Sequence, residues 1–312
     1  MEYRQLGRTD LKVAPLCFGG NVFGWTADEA TSFKLLDAFV ERGFNFIDTA
    51  DSYSRWVPGN KGGESERIIG NWMKQRGNRE KVIVGTKVGS DMGQGHKDVS
   101  KRYILRAVED SLRRLQTHYI DLYQTHWDNE NTPVEETLEA YDKLVRQGKV
   151  RWIGASNLSP ERLRASLACS KNNNFPIYQT LQPEYNLYDR EGFEHDYLEI
   201  CREEGLSVIT YYSLASGFLT GKYRTMSDLD KSTRGAGIRK YLDDKGMRIL
   251  SALDEVAARN SSTPAAVALA WLMAQPTIAA PIASATNTRQ LEELMSAAEL
   301  KLSAEDLEVL GV

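Results

Sequence analysis

The stretch KVIVGTKVGSDMGQGHKDVSKRYILRAVEDSLRRLQTHYIDLYQTH, residues 81–126, decides the fold. Its two ends, KVIVGTKV (81–88) and YIDLYQTH (119–126), are short and mostly apolar, as strands buried on both faces are. Between them, SKRYILRAVEDSLRRL (100–115) repeats Ile104, Leu105, Val108, Leu112 and Leu115 at helical spacing, with charges on the other face. Strand, helix and strand in that order predict a parallel pair joined by a crossover helix.

The same unit recurs on both sides. Further strands are expected at PLCFGG (15–20), FNFIDTA (44–50), RWIGASN (151–157), TLQPEYN (180–186), LSVITYYS (206–213) and TIAAPIAS (277–284). Pro183 interrupts 180–186, because proline donates nothing to a strand ladder. Helical patterns fit 28–42, 64–76, 159–171, 193–204, 245–259, 287–298 and 303–310. In TPVEETLEAYDKLVRQGKV (132–150), Thr132 reads as a cap, Pro133 as the first helical residue, Glu135 as the capping-box partner and Gly148 as the stop. Thr263 and Pro264 repeat the start signal before AAVALAWLMAQ. Eight strand–helix units without a linker predict one domain, 1–312, folded as a closed (β/α)8 TIM barrel. EYRQLGRTDLKV (2–13) reads as a hairpin around Gly7 and Asp10 that plugs the N-terminal end of the barrel. After strand seven, the polar stretch 224–244 is long enough to be a covering loop. A doubly wound dinucleotide-binding sheet would show G-x-G-x-x-G after its first strand, and CFGGNVFG (17–24) does not match.

Bulk composition narrows the function. A net charge of −4 without long runs of one sign disfavours nucleic acid or an anionic membrane as the main partner. Cys17, Cys169 and Cys201 are few, odd in number and not spaced as metal ligands, so reduced thiols and no metal site are expected. MEYRQLGRTD has no apolar signal core, and no apolar run is long enough to span a bilayer, so the expected location is cytoplasmic.

In such a barrel, the site lies at the C-terminal strand ends. Asp48 ends strand two and Tyr53 follows on its loop; Lys87 ends strand three and His126 strand four. Singly, each has an ordinary reading as a loop cap, a packed ring or a solvated charge. Together they form a titratable cluster in a cleft, and a buried Lys beside a buried Asp must be paired. A phenol ordinarily has a pKa of about 10. A neighbouring ammonium is expected to lower it. Asp48 would hold Lys87 charged, and His126 would orient a substrate oxygen or assist proton transfer. Such a tyrosine can give a proton to a carbonyl oxygen during hydride reduction, which needs a cofactor.

The sequence resembles the aldo-keto reductases over nearly its whole length. The resemblance is carried by LCFGGNVFG, FIDTADSY, GGESERIIG, VIVGTKV, the block YIDLYQTHWDNENTPVEETLEAYDKLVRQGKVRWIGASN, QPEYNLYDR and YYSLASGFLTGKY. It implies a (β/α)8 barrel binding NADP(H) without a Rossmann motif and reducing small aldehydes and ketones. It implies the tetrad Asp48, Tyr53, Lys87 and His126, with Tyr53 as general acid. Ser156, Asn157 and Gln182 match the groups that hold the nicotinamide carboxamide, beside Asp48, and Tyr211 matches the aromatic stacked on its ring. Ser213, Leu214, Ser216, Gly217 and Lys222 match the pyrophosphate grip, and Arg234 a basic residue of the covering loop. Ser284 and Thr286 stand where many relatives carry Lys or Arg for the 2′-phosphate, while Gln290 and Glu293 match adenosine contacts. Phosphate binding would then use hydroxyls, the helix start, and Arg289 or Arg234. Ser213 also replaces a proline common in relatives. Trp25, Trp56 and Trp127 are expected to line the substrate mouth.

Two other readings share this fold. Some proteins of this pattern, similar to potassium-channel β-subunits, sense the cofactor as regulatory subunits and turn over slowly. A Schiff-base lyase would use Lys87 as nucleophile, but a neighbouring Asp48 keeps a lysine charged.

Overall fold

The computed structural model describes residues 1–233 and 235–311. Eight parallel strands close into a barrel: β3 (Cys17–Gly19), β4 (Phe46–Asp48), β5 (Ile83–Val88), β6 (Ile120–Thr125), β7 (Val150–Ser156), β8 (Thr180–Gln182), β9 (Ser207–Thr210) and β10 (Ile278–Ala283), with β10 paired back to β3. Ahead of them, β1 (Arg4–Gln5) and β2 (Lys12–Val13) form the antiparallel hairpin. Leu6, Leu11 and Val13 pack against Cys17, Phe46, Ile83, Leu122 and Ile209, which shuts the N-terminal end with apolar side chains. This burial leaves the C-terminal end as the open, polar one.

The outer layer contains α1 (Glu29–Glu41), α2 (Glu64–Arg76), α3 (Lys101–Leu115), α4 (Val134–Arg146), α5 (Pro160–Asn173), α6 (Glu191–Asp196), α7 (Leu198–Glu204), α8 (Asp244–Arg259), α9 (Pro264–Met273), α10 (Thr288–Ser296) and α11 (Ala304–Val309). Helix α3 shows why the sequence pattern works. Ile104, Val108, Leu112 and Leu115 are buried, and burying each such side chain is worth about 1.5–3 kcal/mol. Ser100 caps its start by accepting from the Tyr103 N–H. Between α2 and α3, Glu66 is fully buried but satisfied, accepting from Thr86 Oγ1 at 2.6 Å and Arg114 Nε at 2.6 Å. Gly70 lets the two helices touch there, because a Cβ would collide with the Arg114 carbonyl.

Three local expectations fail. Strand 180–186 stops at Gln182, just before Pro183. The helix expected over 193–204 is two short helices broken at Tyr197. No capping box opens α4: Pro133 precedes the helix, and no side chain caps it. Asn129 O accepts from the Thr132 N–H at 2.9 Å, and Arg162 holds the Thr132 carbonyl at 2.9 Å, which ties this residue to the preceding loop. Thr263 does cap α9 through the Ala266 N–H, with Pro264 first in the helix.

The segment after β9 is long, as expected, but it is built from short 3-10 turns over 226–231 and 235–241. Ile238 and Tyr241 anchor it in the core, and Tyr241 stacks on Phe218 with ring centres 5.3 Å apart. Arg234 lies outside the described residues. Among those described, no helix is long and apolar enough to cross a membrane. Cys17, Cys169 and Cys201 are all free thiols.

Candidate active site

Strand register brings the tetrad together. Gly19, Asp48 and Gly85 stand abreast on β3, β4 and β5, and Lys87 pairs with Gln124 on β6. Gly19 lets Ser284 approach the strand, because a Cβ there would come 2.5 Å from the Ser284 hydroxyl. Lys87 is completely buried. Its three ammonium protons go to Asp48 Oδ2 at 2.6 Å, the Thr49 carbonyl at 2.8 Å and Tyr53 OH at 2.7 Å. The Tyr53 hydroxyl donates in turn to Asp48 Oδ2 at 3.1 Å. Asp48 Oδ1 accepts from Gln182 Nε2 at 2.9 Å and Gln124 Nε2 at 3.3 Å. A buried ion pair whose every atom is bonded in this way can persist without water.

The electrostatics differ from the sequence expectation in one respect. Burial pushes the Tyr53 phenol well above its ordinary value, and Asp48 adds to the rise, so the Lys87 ammonium does not lower it. The reason is desolvation: a phenolate beside a carboxylate in a dry site costs more than one cation returns. Tyr53 therefore holds its proton firmly in the free protein. Burial also lowers Lys87, opposed by Asp48. His126 is pushed well below 6.5, first by burial and then by Lys87 and Lys97, so its ring is neutral.

The His126 ring faces Tyr53, with centres 6.0 Å apart. Around them, Trp56 stands 6.2 Å from Tyr53, Trp25 packs edge-on to Trp56 at 5.7 Å, and Trp127 stacks by His126 at 5.9 Å. The three tryptophans expected at the mouth are thus gathered at the tetrad. Lys97 lies over the Trp127 ring at 4.2 Å.

The residues expected to bind the cofactor stand in three groups, at the ends of β7 and β8, after β9 and after β10. Ser156 donates to the Gln182 carbonyl at 2.8 Å; Asn157, held at φ 50°, donates to the His126 carbonyl at 2.8 Å. Tyr211 donates to Asn157 Oδ1 at 3.0 Å. After β9, Ser213 bonds back to Thr210, and Leu214 leads into Ala215, Ser216 and Gly217, all with left-handed backbones. Lys222 is exposed near Gly217: a Cβ on that glycine would come 3.9 Å from its Nζ. Beyond β10, Ser284 donates to the Gly19 carbonyl and to Asn21, while Thr286 and Gln290 bond to each other. Asn287 caps α10, and Arg289 is exposed in its first turn. Glu293 is half-buried on the same helix.

Sequence reasoning missed Gln124, Ser90, Asn21 and Asn287. Gln124 was detectable: it lies two residues before His126, on the same face of β6. Ser90 bonds His126 Nδ1 at 2.9 Å from the loop after β5, and nothing in the sequence announces that contact.

The C-terminal mouth of this (β/α)8 barrel, where sites of this fold lie, thus gathers a Lys–Asp–Tyr cluster and a histidine. The sequence matches the pattern of the Aldo/keto reductase family over residues 15–310. The chain belongs to that family, whose members generally use NAD(P)H, and it is an oxidoreductase. It is 38% identical over 320 residues to the uncharacterized oxidoreductase YrpG of Bacillus subtilis, covering 100% of this chain and 95% of that one. It is 33% identical to the aldo-keto reductase YhdN of the same organism, covering 98% and 91%. It is 31% identical to a probable voltage-gated potassium channel subunit beta of Oryza sativa, covering 96% and 92%.

Proposed function

We propose that the protein is an NADPH-dependent reductase of small aldehydes and ketones, with Tyr53 as general acid. The observation that carries this reading is the Tyr53 hydroxyl itself. It bears its proton, accepts from Lys87 at 2.7 Å, and is linked to Asp48 by the longer bond of 3.1 Å. A carbonyl oxygen placed against it would draw the proton from the weaker contact. As the proton leaves, the Lys87 N–H strengthens its bond to the phenolate oxygen, and Asp48 keeps the ammonium in place. Bound NADPH would supply the hydride that reaches the carbonyl carbon. The Trp25, Trp56 and Trp127 rings suit a hydrophobic or aromatic carbonyl compound and keep water from the transfer.

The chain's residues fit the cofactor. Lys222 meets no carboxylate among the described residues, and the bare Gly217 leaves open the space before its ammonium, as a phosphate would require. Ser213, Leu214 and Ser216 would complete that grip. Ser156, Asn157 and Gln182 would hold the carboxamide beside Asp48, with Tyr211 against the ring. Ser284, Thr286, Gln290 and Glu293 would take the adenosine end, with Arg289 at the helix start for a 2′-phosphate, which favours NADP over NAD. The net charge of −4 supports a free small molecule rather than nucleic acid or an anionic membrane as the partner. We read the chain as a single cytoplasmic domain.

The likeness to a potassium channel β-subunit keeps a regulatory reading in play: cofactor binding with slow turnover. A Schiff-base role is disfavoured, because Lys87 is fully buried with all three protons engaged. The deciding experiment follows oxidation of NADPH, then NADH, with a panel of aromatic and short aliphatic aldehydes. Turnover with NADPH supports the reductase. Tight NADPH binding without turnover would move the regulatory reading ahead.

A further inference from the structure

His126 has two ring nitrogens, and only one of them carries the proton while the ring is neutral. Which one decides what the ring can offer a substrate. Nδ1 lies 2.9 Å from Ser90 Oγ, and Ser52 Oγ donates to that same Ser90 oxygen at 3.1 Å. Ser90 is buried, and its backbone carbonyl is pinned by Gln94 Nε2 at 3.0 Å. Ser52 sits in the turn between Asp48 and Tyr53, where its carbonyl accepts from the Arg55 N–H at 3.1 Å. The two hydroxyls thus join the loops after β4 and β5 to the end of β6.

Proton counting selects one tautomer. Ser90 has a single hydroxyl proton and already accepts from Ser52. If Nδ1 carried the ring proton, Ser90 would accept twice, and its own proton would be buried with no acceptor, which is costly. If Nδ1 is bare, Ser90 donates to it and every group is satisfied.

We infer that Ser52 and Ser90 form a hydroxyl relay that holds His126 as the Nε2–H tautomer, so that Nε2–H is the donor offered to the substrate oxygen beside Tyr53. Ser90 is then a positioning residue. The substrate half of this inference rests on the reductase reading, whereas the tautomer half does not. The relay also ties His126 to the turn that carries Tyr53, so the two groups that meet the substrate oxygen are set by one connected network.

The test is a long-range proton–nitrogen correlation spectrum of the histidine rings in the free protein near pH 7. The chain has four histidines, and His126→Gln removes the signal to be assigned. Wild type should show His126 as Nε2–H. Ser90→Ala should mix the two tautomers, and Ser90→Thr should restore the single one. In carbonyl reduction, Ser90→Ala should lower kcat on the order of tenfold, leave the NADPH affinity unchanged, and be rescued by Thr. An Nδ1–H ring in wild type would overturn the inference, as would a Ser90→Ala protein with unchanged tautomer and kcat. If Ser90→Ala does not fold, Ser90→Cys and the wild-type spectrum still decide. The predicted tautomer in a protein that reduces no carbonyl would leave the relay standing and remove the reductase reading alone.

Discussion

Asp51 offers a test of the buried charge arrangement that needs no substrate. It is 2% exposed, and neither carboxylate oxygen makes a well-aligned hydrogen bond. It lies behind the tetrad, where its N–H donates to the Lys87 carbonyl at 3.3 Å. Burial raises its pKa from 3.8 to about 8; Glu66 adds to the rise, and Arg114, the Ser52 N–H and Lys87 oppose it. Below about pH 4, folded and unfolded chains both hold the proton, and the group costs nothing. As pH rises, the unfolded chain releases the proton while the folded chain keeps it, so stability falls until the folded carboxyl ionises. At pH 7, the difference spans about three pH units at about 1.4 kcal/mol each, or roughly 4 kcal/mol. Asp51→Asn, which cannot ionise, should therefore be more stable than wild type by only about 1 kcal/mol near pH 4.5 and by up to roughly 4 kcal/mol at pH 7. Urea unfolding of both proteins across pH 4.5–8 measures the difference, and contributions from groups that do not interact with Asp51 cancel. A difference that does not change with pH would refute the reasoning and show that the carboxylate is satisfied and ionises normally.

Other outcomes follow from the same geometry. Lys87→Met should destabilise the fold by about 3–5 kcal/mol, because it strands the buried Asp48 carboxylate. The double variant Lys87→Met/Asp48→Asn should recover much of that loss in denaturation while remaining inactive. Gly70→Ala should lower the melting temperature clearly, since its Cβ meets the Arg114 carbonyl and forces α2 off α3; an unchanged melting temperature would mean that the helices separate freely. The rate of carbonyl reduction should stay flat through pH 6.5, because His126 is already neutral there. It should also stay flat up to the ordinary phenol value, because Tyr53 keeps its proton beyond it. A step in kcat near either ordinary value would contradict these shifts.

The barrel was legible because its strands are short apolar runs separated by amphipathic helices, as at 81–126. The tetrad was legible because strand-end positions follow from those runs: Asp48, Lys87 and His126 each close one. What sequence could not supply was depth of burial. The phenol was expected to be acidified by Lys87, yet burial of its hydroxyl between Lys87 and Asp48 makes desolvation dominate. Nor could it supply contacts between loops far apart in the chain. Ser90 to His126 spans 36 residues, and Ser284 to Asn21 spans 263. The expected cap of α4 fails by one residue: Pro133, not Thr132, stands at the N-cap, and its side chain cannot accept.

The most direct measurement compares wild type with Tyr53→Phe in NADPH-dependent reduction of an aromatic aldehyde, with cofactor binding followed separately by fluorescence. Removing the hydroxyl takes away the acid and leaves the ring, so turnover should fall by on the order of 10²–10⁴ while NADPH binds as before. Turnover retained in Tyr53→Phe would contradict the account, because some other group would then be delivering the proton.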